Sequence, residues 1–447
     1  MNKSTLAIAV AVGVLTQQAS AAGFIEDSKA TLGLRNFYIN TDYRDGTGPN
    51  KNEEWGQGFD LRFISGYTQG TVGFGIDAIG LLGVKLDSGG GTNGASNNSY
   101  GGTVFPSKSN GEAVDDFSSL GLTAKAKISQ TELKLGTLQP KLPVIVTNDG
   151  RLLPQTWQGG QIASNDIKDL TLIGGQIEQV KGRNSSNNEQ LSISGANSRS
   201  AAGRDSNKFI YAGGDYKITK DLTAQYYYGN LEEFYKQHFL GLVHNWAIGP
   251  GVLKSDFRYF NSSDDGANGH DPLYFTTGNY SGAVNGKGKV DNNLYSGLFL
   301  YSVAGHTFGG GYQVSNGSSD FPWLNQGDGS SNYTITDSQI QKFGRAGERT
   351  WQARYSFDFA KVGVPGLTAG LVYLHGDNID TVNAKGGEAA NGASEWERDL
   401  TVGYVVQSGA LKNLGLMWKN ATWRTDLPNT RSQDENRLVV SYSIPLL

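Results

Sequence analysis

The 447-residue chain contains no cysteine, which excludes disulfides, thiolate metal sites and cysteine nucleophiles. Methionine (2) and proline (11) are scarce, and charged residues make up only 18 %. Beyond the N-terminus no window approaches ~18 consecutive apolar residues, so a helical membrane protein is excluded. Long runs with a 3.6-residue period are missing as well. A formal net charge of −4 excludes a globally basic nucleic-acid binder. The histidines at 238, 244, 270, 306 and 375 form no HExxH pair, and no local signature of a catalytic serine and histidine is present. Gly73-Phe74-Gly75 lacks the remaining glycine and the following helix of a dinucleotide loop. The run Asp264-Asp265-Gly266 to Asp271 lacks the liganding pattern of a calcium loop. No cofactor, metal, enzymatic activity or nucleic-acid partner is expected.

What is present is glycine, 62 residues, and aromatics, 11 %, including 21 Tyr, 19 Phe and 8 Trp. Residues 1–22 read as a signal peptide: Lys3 is the positive region, Leu6 to Leu15 the apolar region, and Ala19-Ser20-Ala21 the small-residue site, with cleavage after Ala21 or Ala22. Ten apolar residues do not span ~30 Å of hydrocarbon, so a membrane anchor is disfavoured. The remaining 23–447 form one expected domain.

That domain alternates with period 2. Leu122, Ala124, Ala126 and Ile128 alternate with Thr123, Lys125, Lys127 and Ser129. Trp351, Ala353, Tyr355, Phe357 and Phe359 alternate with Gln352, Arg354, Ser356 and Asp358. Such alternation puts the apolar members on one strand face and the polar members on the other. The pattern predicts eighteen strands, near 28–41, 56–67, 71–83, 118–129, 131–138, 157–163, 168–181, 207–217, 221–230, 234–247, 252–261, 292–303, 305–315, 349–360, 367–375, 396–407, 411–424 and 434–445. Their connections alternate between short turns, such as Ser129-Gln130 and Gly249-Pro250-Gly251, and long Gly/Asn/Ser/Asp-rich loops, such as 87–117, 182–206 and 262–291. Short turns at one end and long loops at the other are the signature of an outer-membrane barrel. A soluble sandwich, including an exported carbohydrate-binding one, would keep its outer face polar. Here the repeated face is Leu, Val, Ala, Tyr, Phe and Trp, which fits a lipid-facing band around a wet lumen. Closure also leaves no unpaired edge in the membrane. The expected fold is therefore an all-β, eighteen-stranded antiparallel transmembrane barrel in a bacterial outer membrane, with lipid and lipopolysaccharide as surroundings. Tyr226, Tyr228, Trp246, Trp396, Trp418 and Tyr442 fall at or near strand ends, where amphipathic rings favour the interfaces.

At 16–18 strands side chains no longer fill the interior, so something must narrow it. Residues 139–156, QPKLPVIVTNDGRLLPQT, are far more apolar than the other loops. Leu142, Val144, Ile145 and Leu152 need a surface to bury, which predicts a loop folded into the lumen that holds Lys141, Asp149 and Arg151 near the constriction. Subunit contact is the competing use of such a loop. Lumen parity collects Arg35, Arg62, Lys125, Lys127, Lys134, Lys254, Arg258, Arg354, Lys419 and Arg437, with Asp60, Asp256 and Asp358 among them. A line of cations lowers the cost of stripping water from a carboxylate.

The loop's DGRLLPQTW, the N-terminal GFIEDSKATLGLRNFYINTDYR (23–44), NEEWGQGF (52–59) and the Tyr216 to Asp221 turn resemble the OprD family, across essentially the whole mature chain. The C-terminal Tyr442 to Leu447 is similar to the insertion signal of such barrels, ending in Leu instead of an aromatic. The resemblance implies a substrate-specific outer-membrane channel, a monomer or loose homotrimer, that passes small carboxylate-bearing nutrients or amino acids downhill. It further implies a constriction between two infolded loops and a basic ladder on one wall. It adds Arg398 to that ladder, although alternation from Leu400 points Arg398 outward. The second infolded loop would be 316–348, with Asp320 joining Asp149 as a constriction acid, opposite Arg151. A non-conducting barrel with a structural or adhesive role is the alternative.

Overall fold

The computed structural model describes residues 23–44, 46, 50–88, 102–193, 205–266, 290–325, 331–382, 389–428 and 430–447; the expected signal peptide lies outside the described residues. Eighteen strands form a closed antiparallel barrel. They are β1 (Lys29–Tyr43), β2 (Lys51–Ile64), β3 (Gly73–Asp87), β4 (Asp116–Ile128), β5 (Thr131–Leu138), β6 (Thr156–Ser164), β7 (Leu170–Lys181), β8 (Phe209–Lys217) and β9 (Leu222–Leu231). They continue with β10 (Tyr235–Ile248), β11 (Gly251–Asp264), β12 (Asp291–Val303), β13 (His306–Gly317), β14 (Arg349–Asp358), β15 (Leu367–Val382), β16 (Ala389–Val405), β17 (Gly415–Thr425) and β18 (Gln433–Pro445).

Each strand pairs with its sequence neighbours, and β1 closes the ring by pairing with both β2 and β18, Arg35 lying between Gly58 and Ser441. The predicted strands are all present. The largest boundary differences are at β2, β15 and β16, which run further into the long-loop end than their alternation suggests.

Turns at the opposite end are tight. Ala304 and Gly305 both have positive φ (50° and 87°), the geometry that matches a two-residue hairpin to the twist of its strands. The outward face is apolar: Leu120, Leu240, Phe308 and Leu371 are exposed there. A band of such side chains is stable only against hydrocarbon. The interior is no simple pore, because apolar clusters line part of it.

Candidate functional site

Loop 3 (139–155) turns inward, as its composition requires. Leu152 and Leu153 bury against Phe37, Ile39, Leu81, Phe105 and Phe117. Val144 and Ile145 bury against Trp157, Phe209, Tyr211 and Tyr227. Each such burial contributes about 1.5–3 kcal/mol. The glycines of β2 make room for it: a Cβ on Gly58 would sit 2.9 Å from the Leu152 carbonyl oxygen, and one on Gly56 would lie 2.8 Å from the Leu152 side chain. Loop 3 thus packs on the lumen wall as expected, and these apolar side chains are buried there and not left for a subunit contact.

Loop 7 (318–348) also enters. Phe321 packs edge-on against Phe260 with centroids 5.0 Å apart, and Tyr333 does so against Phe239 at 5.7 Å. Acids of β16 accept its backbone: Glu397 takes the Ile340 and Gln341 N–H groups, each at 2.8 Å, and Asp399 takes that of Gln339 at 3.1 Å. Loop 4 (182–208) joins loop 7 through a short ladder, Ser192–Ile193 against Leu324–Asn325.

Between these loops and the β15–β18 and β1 wall lies a cavity of about 540 Å³. Arg151, Arg183, Lys342, Lys419 and Arg437 line it, with Asp337, Asp399 and Glu435 among them. Lys419 and Arg437 are register partners, so both point inward from adjacent strands. Arg437 is tied to Glu435 at 2.7 Å and donates to the Gln339 carbonyl at 2.8 Å. Arg151 donates to the Thr103 carbonyl, and Arg183 to Asn148 Oδ1 at 3.0 Å. Burial, reinforced by Arg437, pulls the Arg151 guanidinium down to about 10. Burial and then Arg151 hold Arg183 well below the usual arginine range. At about 10, Arg151 still carries its charge at neutral pH, so the cavity favours an incoming anion.

The other expected cations are mostly engaged. Arg35 forms a two-pronged pair with Asp149, at 2.7 and 3.2 Å, and also holds the Arg151 carbonyl at 2.6 Å. Asp149 thus sits on the inner wall and anchors loop 3. Arg62 pairs with Asp60 at 2.7 Å, Lys134 with Glu132 at 3.0 Å, and Arg258 with Asp256 at 2.7 Å. Arg354 donates to the Ile335 carbonyl of loop 7 at 2.6 Å. Lys127 lies over the Tyr67 ring at 5.8 Å. Lys254 shares the inward parity as the register partner of Asn245. Lys419 has neither an ion pair nor a hydrogen bond among the described residues.

Three expectations are corrected. Lys125 is only 5 % exposed, paired with Asp77 at 2.6 Å and bonded to the Ser65 carbonyl, so it is buried and not a rung open to solute. Arg398 faces outward: β16 runs without a bulge from Glu395 to Val405, and Arg398 bonds the outward Asn420 and Thr422 at 2.6 and 3.0 Å. Asp320 does not face Arg151; it is buried inside loop 7, where it accepts from the Ala346 N–H at 2.9 Å with Arg345 nearby.

Sequence reasoning missed Glu395, Glu397 and Asp399, although three acids at alternate positions, opposite in parity to Leu400, carried the signal. Arg183 gave no such signal, since only the folding of loop 4 brings it to the cavity.

A family model described as outer membrane porin, OprD family, matches residues 22–446. The chain is 38 % identical to the porin-like protein GalP of Pseudomonas putida, over 97 % of this chain and 96 % of that one. It resembles the crystal structure of Pseudomonas aeruginosa OccK8 (OprE), with TM-score 0.85 and 60 % identity over 95 % of this chain and 100 % of the other. It also resembles that of Pseudomonas aeruginosa OpdK with vanillate, with TM-score 0.81 and 37 % identity over 95 % and 100 %. Proteins of this family and fold are outer-membrane channels and not enzymes. A closed barrel with loops folded into a charged lumen, matched along its whole length, makes this chain a member of the OprD family of substrate-specific outer-membrane porins.

Proposed function

We propose that this porin admits small monocarboxylates, and that Lys419 is the group that meets the carboxylate at the constriction. The observation that carries the reading is that Lys419 opens on the cavity with no ion pair or hydrogen bond among the described residues, while the neighbouring cations are held by acids or carbonyls. An occupied cation shapes the local field; an unoccupied one can take a solute oxygen and release it. Arg437, Arg151 and Arg183 add to the attraction from around the same cavity. Asp337, Asp399 and Glu435 keep the site from holding an anion too tightly to let it leave. The similar OpdK was crystallised with vanillate, an aromatic monocarboxylate, which supports the same solute class.

The test is single-channel current in a planar bilayer, for wild type and Lys419→Gln, with benzoate or arginine added. Benzoate is expected to block wild type, and the block to weaken about fivefold or more in the variant, the equivalent of ~1 kcal/mol. Block by arginine and not by benzoate would sink the monocarboxylate reading and assign basic amino acids instead.

A further inference from the structure

The outward face of β14–β17, at the end that carries the long loops, departs from the apolar band around it. Trp351 and Tyr373 pack with centroids 5.3 Å apart, Tyr373 stacks on Trp396 at 5.8 Å, and His375 approaches Trp351 at 6.1 Å. Rings of this kind mark the depth of the lipid headgroups. Arg398 and Arg349 flank the cluster on the same face: Arg398 is the register partner of Tyr373, and Arg349 lies two residues before Trp351. Neither forms an ion pair among the described residues. Arg349 is exposed, and its register partner Asp377 makes no ion pair with it. Arg398 uses one terminal nitrogen on Asn420 and Thr422, and its Nε has no partner. The nearby Arg424 differs, being bridged to Asp434 at 3.0 Å.

A charge facing hydrocarbon at mid-depth costs ~2–4 kcal/mol, and the cost falls to about 0–1 near the interface, where long side chains snorkel to polar groups. Two cations retained on this face without an ion pair among the described residues are accounted for if an anion of the membrane meets them. We propose that Arg398 and Arg349, which lie two strands and about four residues apart with Trp351 and Tyr373 between them, each meet a separate phosphate of outer-leaflet glycolipid. Guanidinium suits this ligand because its planar fork matches phosphate oxygens. The aromatic rings would rest against the sugar and the adjoining acyl chains.

The full chain in detergent is titrated with bis-phosphorylated lipid A, with dephosphorylated lipid A and with inorganic phosphate, and bound lipid is counted by native mass spectrometry. Wild type should hold the phosphorylated lipid about fivefold more tightly than Arg398→Gln, and about thirtyfold more tightly than Arg349→Gln/Arg398→Gln, at roughly equal effect per cation. Arg398→Lys should recover most of the difference. Dephosphorylated lipid should bind wild type and variants alike, and inorganic phosphate should not displace the lipid. Single-channel conductance should match wild type, which certifies that each variant is folded; if the double variant does not insert, the single variants are read. Equal retention of phosphorylated lipid by wild type and variants overturns the proposal. So does loss of a dimer or trimer with lipid retention unchanged, which would make this face a contact between copies.

Discussion

From β8 to β11 the lumen wall presents Phe209, Tyr211, Tyr227, Phe239 and Phe260, all sealed from solvent, whereas from β14 around the seam to β2 it presents Arg354, Asp399, Lys419, Arg437, Arg35 and Arg62. Both arcs obey one alternation and one ladder geometry. They differ in the chemistry placed on the inward parity. On the aromatic arc, Phe321, Val144 and Ile145 complete an apolar cluster, so loops 3 and 7 rest there and close that side. The charged cavity is left between these loops and the β15–β18 and β1 wall. A wide barrel is narrowed because part of its lumen is packed like a protein core.

Breaking the aromatic arc should have the largest effect. Phe260→Ala removes the ring between Phe239 and Phe321, whose centroids lie 4.7 and 5.0 Å from it. The expected cost is about 3–5 kcal/mol in packing. Thermal unfolding in detergent should show it, and single-channel current should rise and become noisier as loop 7 loosens. Unchanged current would mean that this arc does not support the constriction.

Next is the acid buried inside loop 7. Burial, partly opposed by Arg345 and by the Ala346 N–H, pushes Asp320 from 3.8 up to about 6. A carboxyl raised in the folded state stabilises the fold relatively when it is protonated. Its contribution is therefore complete below 3.8 and is lost as pH rises to about 6. Asp320→Asn should flatten that part of the stability curve by up to about 3 kcal/mol, measured as the wild-type minus variant difference between pH 4 and pH 7. A difference that does not change with pH would show that the carboxyl is not held neutral there.

The smallest effect is expected on the charged arc away from the cavity. Arg62 is a third exposed or more and already paired with Asp60 within β2. Arg62→Gln should cost less than about 1 kcal/mol and alter benzoate block by no more than about twofold. A large loss of block would extend the working wall beyond the cavity.

The barrel was legible because its signals are local. Leu122 to Ile128 and Trp351 to Phe359 reveal their lipid face within one strand, as the side-chain period is 2 whatever the rest of the chain does. The inward turn of loop 3 was legible for a similar reason: Leu142, Val144, Ile145 and Leu152 cannot stay in water at a loop tip. Arg398 was misplaced where the resemblance was preferred over the alternation, and the alternation held. Lys125 and Asp320 failed differently. Parity places Lys125 inside correctly, but its burial depends on Asp77 and on Ser65 from the strand and turn beside it. Asp320 depends on where Ala346 and Arg345 fold back within the same loop.

What the sequence by itself determined is therefore the strand count, the closed barrel, the face each side chain takes and the need for an infolded loop, all consequences of period and hydrophobicity along one stretch of chain. Only the tertiary structure decided which inward cation is left for a solute. Arg62, Arg258 and Arg437 meet acids two residues away on the same face of their own strands, which alternation allows by itself, but Arg35 and Lys125 meet Asp149 and Asp77 only when strand register and loop packing are fixed. Ion pairing depends on distance in space, and a single strand's alternation carries no information about its neighbours beyond the face it shares with them.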